Sequence, residues 1–229
     1  YILVTTRTSD LTTLGLDFGQ ALEVKTFTSE QGALFVLHRA GLLSLDATFD
    51  QAGAEDRQQA MQISQGLGGL PLALDLAGAY IAKTRCTLAS YQQRYQTKQK
   101  QISKESSGQV HTDAIMTAWK LSFERIEATN PKAAKLLQWC SFLAPDAIAE
   151  WILLQGIVKL GKKRKGERWG SWLQNGLWRK GQGRNKDVKS GLDQAVEVLQ
   201  AYSLLKHDTQ AGEFSMHRSV QAMQRHAMT

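Results

Sequence analysis

Proline and cysteine are both scarce in this 229-residue chain, with three and two residues. Cys86 and Cys140 lie far apart and belong to no Cys-x-x-Cys pair or Cys/His cluster. That arrangement argues against zinc or redox chemistry and suits buried free thiols better than a disulfide. No apolar run approaches the roughly eighteen residues of a membrane span, and neither a secretory leader nor a lipidation motif is found. A soluble cytoplasmic protein is therefore expected. A Gly-x-x-x-x-Gly-Lys-Ser/Thr sequence is also missing, and with it the loop whose backbone amides cradle phosphates. Nor is there a general excess of one charge. The net charge is +7, but residues 156–190 hold eleven Lys/Arg against Glu167 and Asp187, which is 11 − 2 = +9 and leaves 7 − 9 = −2 for the rest. Outside one basic insert the protein is near-neutral.

Apolar residues are plentiful at 42%, enough for a sizeable core in one large domain or two to three small ones. The chain opens at Tyr1 directly in an apolar run, which we read as a piece of something longer. Its most distinctive stretch is residues 66–81, GLGGLPLALDLAGAYI. Gly66 can end a preceding helix in the left-handed region, and Pro71 fits a first helical turn, where its missing N–H is no loss. From Leu72 to Ala82 only Asp75 is charged, so this helix is expected inside the domain.

Before that stretch, residues 2–7 (ILVTTR) form a short β-branched run suited to a strand buried on both faces, with Arg7 at the end that faces a ligand crevice in open α/β sheets. Residues 22–27 alternate as a second strand. Thr28-Ser-Glu-Gln31 is a capping-box pattern that opens a helix to about Arg39. Helices follow at 55–65 and, after the central one, at 87–98. Residues 98–108 are polar and aperiodic, a natural linker. Ile115, Trp119, Phe123 and Ile126 recur at helical spacing, more simply a core stripe than a cofactor contact. Asn130-Pro131 starts a helix with Leu136, Leu137, Trp139 and Cys140 inward, and Pro145 starts another over 146–155. The basic insert contains Trp169, Trp172 and Trp178 among seven glycines and reads as a mobile loop with one ordered turn at most. An amphipathic helix over 192–202, a hairpin around 209–212 and a helix over 217–228 close the chain.

Ile2-Leu-Val-Thr-Thr-Arg7, Gly69-Leu-Pro-Leu72 and Met216-His-Arg218 stand in one order along this pattern. Together they resemble the NB-ARC family of nucleotide-binding adaptors, signal-transduction ATPases with numerous domains. The resemblance covers nearly everything except the basic insert. It implies a mainly α fold in which residues 1–28 end a P-loop NTPase sheet and 29–101 form a helical domain. Residues 102–110 are then a linker, and 111–229 a winged-helix domain interrupted by the insert 156–190. It further implies that Arg7 is the sensor arginine approaching the terminal phosphate. Gly69, Leu70, Pro71 and Leu72 form the motif whose proline packs near adenine. His217 is the histidine that contacts the β-phosphate of ADP and holds the closed, inactive state. Where the family has aspartate after that histidine, this chain has Arg218, which puts the acidic residue's share of that role in doubt.

The implied ligand is ADP or ATP, with magnesium expected only together with an upstream phosphate loop. No apolar strand ending in Asp-Asp is present either, so this chain should not hydrolyse ATP alone, whereas a longer parent would be a slow ATPase. The expected function is the regulatory part of a signalling switch that controls activation or self-association, with no membrane partner. Two alternatives stand beside it. One is a winged-helix module that binds nucleic acid through the basic, tryptophan-containing insert. The other is a protein-interaction scaffold indifferent to nucleotide.

Overall fold

The computed structural model describes residues 22–105, 110–154 and 184–228. Its described part is mainly helical, with one small antiparallel sheet. Helix α1 (Ser29–Arg39) begins with the expected capping box: Gln31 N donates to Thr28 Oγ1 at 3.2 Å, and Thr28 N donates to Gln31 Oε1 at 3.1 Å. Two of the amides that a helix start leaves without partners are thereby satisfied. After a 3-10 turn at Phe49–Gln51, α2 (Ala54–Gly66) runs back along α1.

Helix α3 (Pro71–Thr84) is buried over most of its circumference, with Ala73, Leu74, Leu76, Ala77, Ala79 and Ile81 all inside. It packs on α1 and on α5, so the apolar stretch read from the sequence is the core of the N-terminal part. Helix α4 (Leu88–Glu105) turns Leu88, Tyr91, Tyr95 and Ile102 inward. Tyr91 stacks near Tyr95 with ring centroids 6.2 Å apart, and burial pushes the Tyr91 hydroxyl well above its ordinary pKa.

Helix α5 (Val110–Thr129) is the long spine of the molecule, touching α3 and α4 on one side and α6 on the other. Trp119, Phe123 and Ile126 are buried as their spacing predicts, and Trp119 stacks on Phe123 at 5.4 Å. Helix α6 (Pro131–Cys140) starts on Asn130, whose side chain accepts from Ala133 N at 3.0 Å, and buries Leu136, Leu137 and Cys140. Burial raises the Cys140 thiol to about 12. Both cysteines are free.

Strand β1 (Ile148–Ala149) leads into a helical stretch over 150–154. Helix α7 (Arg184–Ala201) buries Leu192, Ala195, Val196 and Leu199. The hairpin of β2 (Lys206–Asp208) and β3 (Glu213–Ser215) closes on an Asx turn, in which Asp208 Oδ1 accepts from Gln210 N at 2.9 Å and Ala211 N at 3.0 Å. The sheet order is β1-β3-β2, all antiparallel, with Phe214 opposite both Ile148 and His207. Helix α8 (Arg218–His226) lies on the end of α6. Gln221 Nε2 donates to the Cys140 and Leu143 carbonyls, each at 3.1 Å, and Arg225 Nη1 donates to Ser141 O at 2.7 Å. The carbonyls that a helix end leaves unpaired are met this way by side chains from another element.

Several expectations are corrected. Residues 22–27 form no strand: no described strand pairs with them, Leu22 and Val24 are exposed, and the bond from Phe27 N to Gly69 O is to a turn, so alternation without a paired strand does not make a strand here. Gly66 stays helical, and Gly68 and Gly69 supply the left-handed turn instead. The linker is shorter than 98–108 or 102–110, because α4 continues to Glu105 and α5 begins at Val110; Ile102, buried below the polar surface of α4, carries the helix on. Pro145 does not start a helix over 146–155. Residues 145–147 bend, with Ala147 in the left-handed region at φ 55°, and feed β1, whose pairing to β3 takes precedence. The last residues of the basic insert, 184–190, belong to α7 and not to a loop. The rest of the insert, with its tryptophans, and residues 1–21 with Arg7, most of the stretch 1–28 expected to end an NTPase sheet, lie outside the described residues. None of the described helices is long and apolar enough to cross a membrane.

Candidate functional site

Between α2 and α3, Gly68 and Gly69 take φ values of +65° and +63°, which reverse the chain within two residues. Gly69 N donates to Ser64 O at 3.1 Å, and its own carbonyl accepts from Phe27 N at 3.0 Å. A Cβ at Gly69 would run into the Phe27 carbonyl, so glycine is required both for conformation and for space. Leu70 and Leu72 are half-buried against the core, while Pro71 stands exposed in the first turn of α3. No side chain caps that helix start. Pro71 brings no N–H to that start, Ala73 is buried, and Leu74 N already donates to Leu70 O.

His217 is the N-cap of α8 and is exposed. Its Nδ1 accepts from Ser219 N at 3.1 Å. In the neutral ring that acceptor role places the proton on Nε2, which is left as a donor beside the positive end of the helix. Met216 before it is buried, and Met216 N donates to Pro145 O at 2.8 Å, fixing the entry to the helix. Arg218 occupies the first helical position, where the helix dipole favours an acid over a base.

The structure holds Gly69, Leu70, Pro71 and Leu72 in one turn but does not join His217 to them by any hydrogen bond. The two pieces share a support: α3 packs on α5, and α8 packs on α5 and α6.

Three features escape sequence reading because their partners lie far apart in the chain. Arg39, at the end of α1, donates from Nε to Asp75 Oδ1 at 2.7 Å and from Nη2 to Ser203 Oγ at 2.6 Å. The single charge of α3 is thereby tied to the turn before the hairpin. Arg94 donates to the Tyr80 hydroxyl at 3.2 Å. Arg125 hydrogen-bonds the Tyr202 hydroxyl, and burial outweighs that guanidinium to raise the Tyr202 pKa. The only trace of these in the sequence is Asp75 itself, a lone carboxylate in an apolar helix. Such a group is rarely buried without a partner. No group of three or more His, Cys, Asp or Glu residues suited to a metal occurs among the described residues.

Residues 124–229 match the model of a family described as "Domain of unknown function (DUF7779)". The match begins inside α5 and takes in α6, the sheet, α7 and α8. No curated protein matches the chain.

Proposed function

We propose that this chain is the regulatory part of an adenine-nucleotide switch of the NB-ARC kind, in which the helical unit and a C-terminal winged helix close over ADP. The observation that carries the reading is the state of His217: an exposed N-cap imidazole with Nδ1 engaged by Ser219 and Nε2–H left to donate. Such a donor, next to helix-start amides, suits a phosphate oxygen. Pro71 is exposed in the first turn of α3, between two half-buried leucines in the sequence, and a rigid apolar ring there suits a base. Bound ADP would be held by Pro71 at its adenine and by His217 at its β-phosphate.

The winged-helix assignment is supported by element order. Helix α6, β1, the helical stretch 150–154, α7 and the hairpin follow one another, and β3 lies between β1 and β2. The match to a single family model over 124–229 is consistent with one C-terminal unit.

The test is binding of a fluorescent ADP analogue to the full-length protein and to its His217→Ala variant. Loss of one hydrogen bond to a charged group, worth about 1.5–3 kcal/mol, corresponds to roughly a tenfold or greater loss of affinity. Unchanged affinity would sink the assignment and leave the scaffold reading. The same winged topology, next to an insert of net charge +9, favours nucleic acid as the second reading. A gel shift that steepens with falling salt and disappears on deleting residues 156–183 supports it; no shift at low salt removes it.

A further inference from the structure

Helices α4 and α5 leave between them a cleft of about 520 Å³, floored by the buried ring of Tyr80 from α3 and by Leu121. Arg94 and Lys98 line one wall, four residues apart and so on one face of α4; Glu124 and Arg125 line the other. From this cleft we infer a binding site for a small phosphate-bearing anion, separate from the Pro71 and His217 positions.

The charges favour an anion. Three cations and one carboxylate line the cleft, which is 3 − 1 = +2. Lys98 and Glu124 neutralise one another across it at 2.8 Å. The two arginines do not meet a carboxylate among the described residues. Each instead leans on a neutral oxygen, Arg94 on the Tyr80 hydroxyl and Arg125 on the Tyr202 hydroxyl. Arg94 gives one of its five guanidinium donors to that bond, and a single hydroxyl oxygen cannot occupy a whole guanidinium fork, so both arginines keep donors for a ligand while their positions are held. The Tyr80 oxygen accepts from Arg94, which leaves its own proton to be donated as well. Gln93, Thr97 and Gln101 add amide and hydroxyl groups along the α4 wall.

Size and shape narrow the ligand. The volume falls in the range of small-molecule sites, about 300–1,000 Å³. A planar fork on each wall matches the paired oxygens of phosphate better than a single-point contact would. A nucleic-acid backbone needs a row of cations, but outside residues 156–190 the chain carries a net charge of only −2, so a compact anion fits where a polymer does not.

The experiment titrates pyrophosphate, inorganic phosphate and citrate into the full chain at low salt, followed by calorimetry and by amide shifts. Pyrophosphate is expected to bind best, with shifts centred on residues 93–101 and 121–128. In the Arg94→Gln/Arg125→Gln double variant, affinity should fall at least tenfold. Glu124→Gln should raise it about two- to threefold by freeing Lys98. All three side chains are exposed, and an unchanged circular dichroism spectrum checks that the variants fold. The inference is overturned if no probe binds, if the double variant binds as well as the parent, or if citrate binds as tightly as pyrophosphate. Affinity lost in His217→Ala but kept in the double variant would place the anion at the other site, which refutes this inference and leaves the switch reading standing.

Discussion

Gly78 sits in the middle of α3, where replacing glycine by alanine ordinarily stabilises a helix by about 1 kcal/mol, because alanine has less backbone freedom to lose. In this structure the sign reverses. A Cβ at position 78 would stand 2.6 Å from Arg39 Cβ and 2.7 Å from Arg39 Cγ, and 3.4 Å from the Arg39 carbonyl carbon. Those atoms are the root of the side chain, so rotating its far end brings no relief; α1 itself has to move. Overpacking of this kind costs about 1–3 kcal/mol. Moving Arg39 also loosens its contacts to Asp75 and Ser203. The Arg39 and Asp75 side chains are 33% and 30% exposed, so solvent screening reduces that loss to about 1 kcal/mol. Subtracting the propensity gain, Gly78→Ala is expected to destabilise by about 1–3 kcal/mol and to lower the thermal midpoint by about 3–10 °C. Urea unfolding followed by circular dichroism measures it. Two controls isolate the cause. Gly66→Ala, which meets open space, should be neutral or mildly stabilising. Gly78→Ala made in an Arg39→Gly background should recover the ordinary gain, with a coupling of at least about 1 kcal/mol. A Gly78→Ala protein as stable as the parent would refute the close packing of α1 on α3.

Asn130→Ala removes the cap that accepts from Ala133 N and should cost about 1 kcal/mol, or about 2–4 °C in the thermal midpoint. In the native protein at neutral pH, a thiol reagent should label the half-buried Cys86 and leave Cys140 unlabelled until the chain unfolds, because burial raises the Cys140 thiol to about 12; rapid native labelling of both would contradict the burial. The unfolded thiol ionises near its ordinary value of 9.0 and the folded one at about 12. The Cys140 contribution to stability is therefore constant below pH 9 and is lost as pH rises from there toward 12.

Much of the helical architecture was legible one segment at a time. The capping box at Thr28, the cap and proline at 130–131, the stripe from Trp119 to Ile126 and the hairpin at 206–215 all follow from local chemistry. Each is decided by residues within a few positions of one another. The misreadings share a cause. Residues 22–27 have a strand's alternation but no strand to pair with among the described residues, and residues 98–105 have a linker's polarity but one buried isoleucine that keeps the helix packed. Residues 145–149 have a helix-starting proline but an available strand edge in β3. In each case a long-range contact, missing in the first and present in the other two, decided against a weak local preference.

The candidate sites divide in the same way. Local sequence placed a turn before Pro71 and a helix start near His217, because turns and helix starts depend on adjacent residues; that Gly68 and Gly69 make the turn in place of Gly66, and that His217 is the N-cap, was decided by the folded chain. Which side chains face one another across helices depends on crossing geometry, which no local pattern encodes. Only packing α1, α3, α4 and α5 together placed Arg94 on Tyr80, put Arg125 beside the C-terminal unit, and gave Asp75, the solitary charge in an apolar helix, its partner in Arg39 of α1.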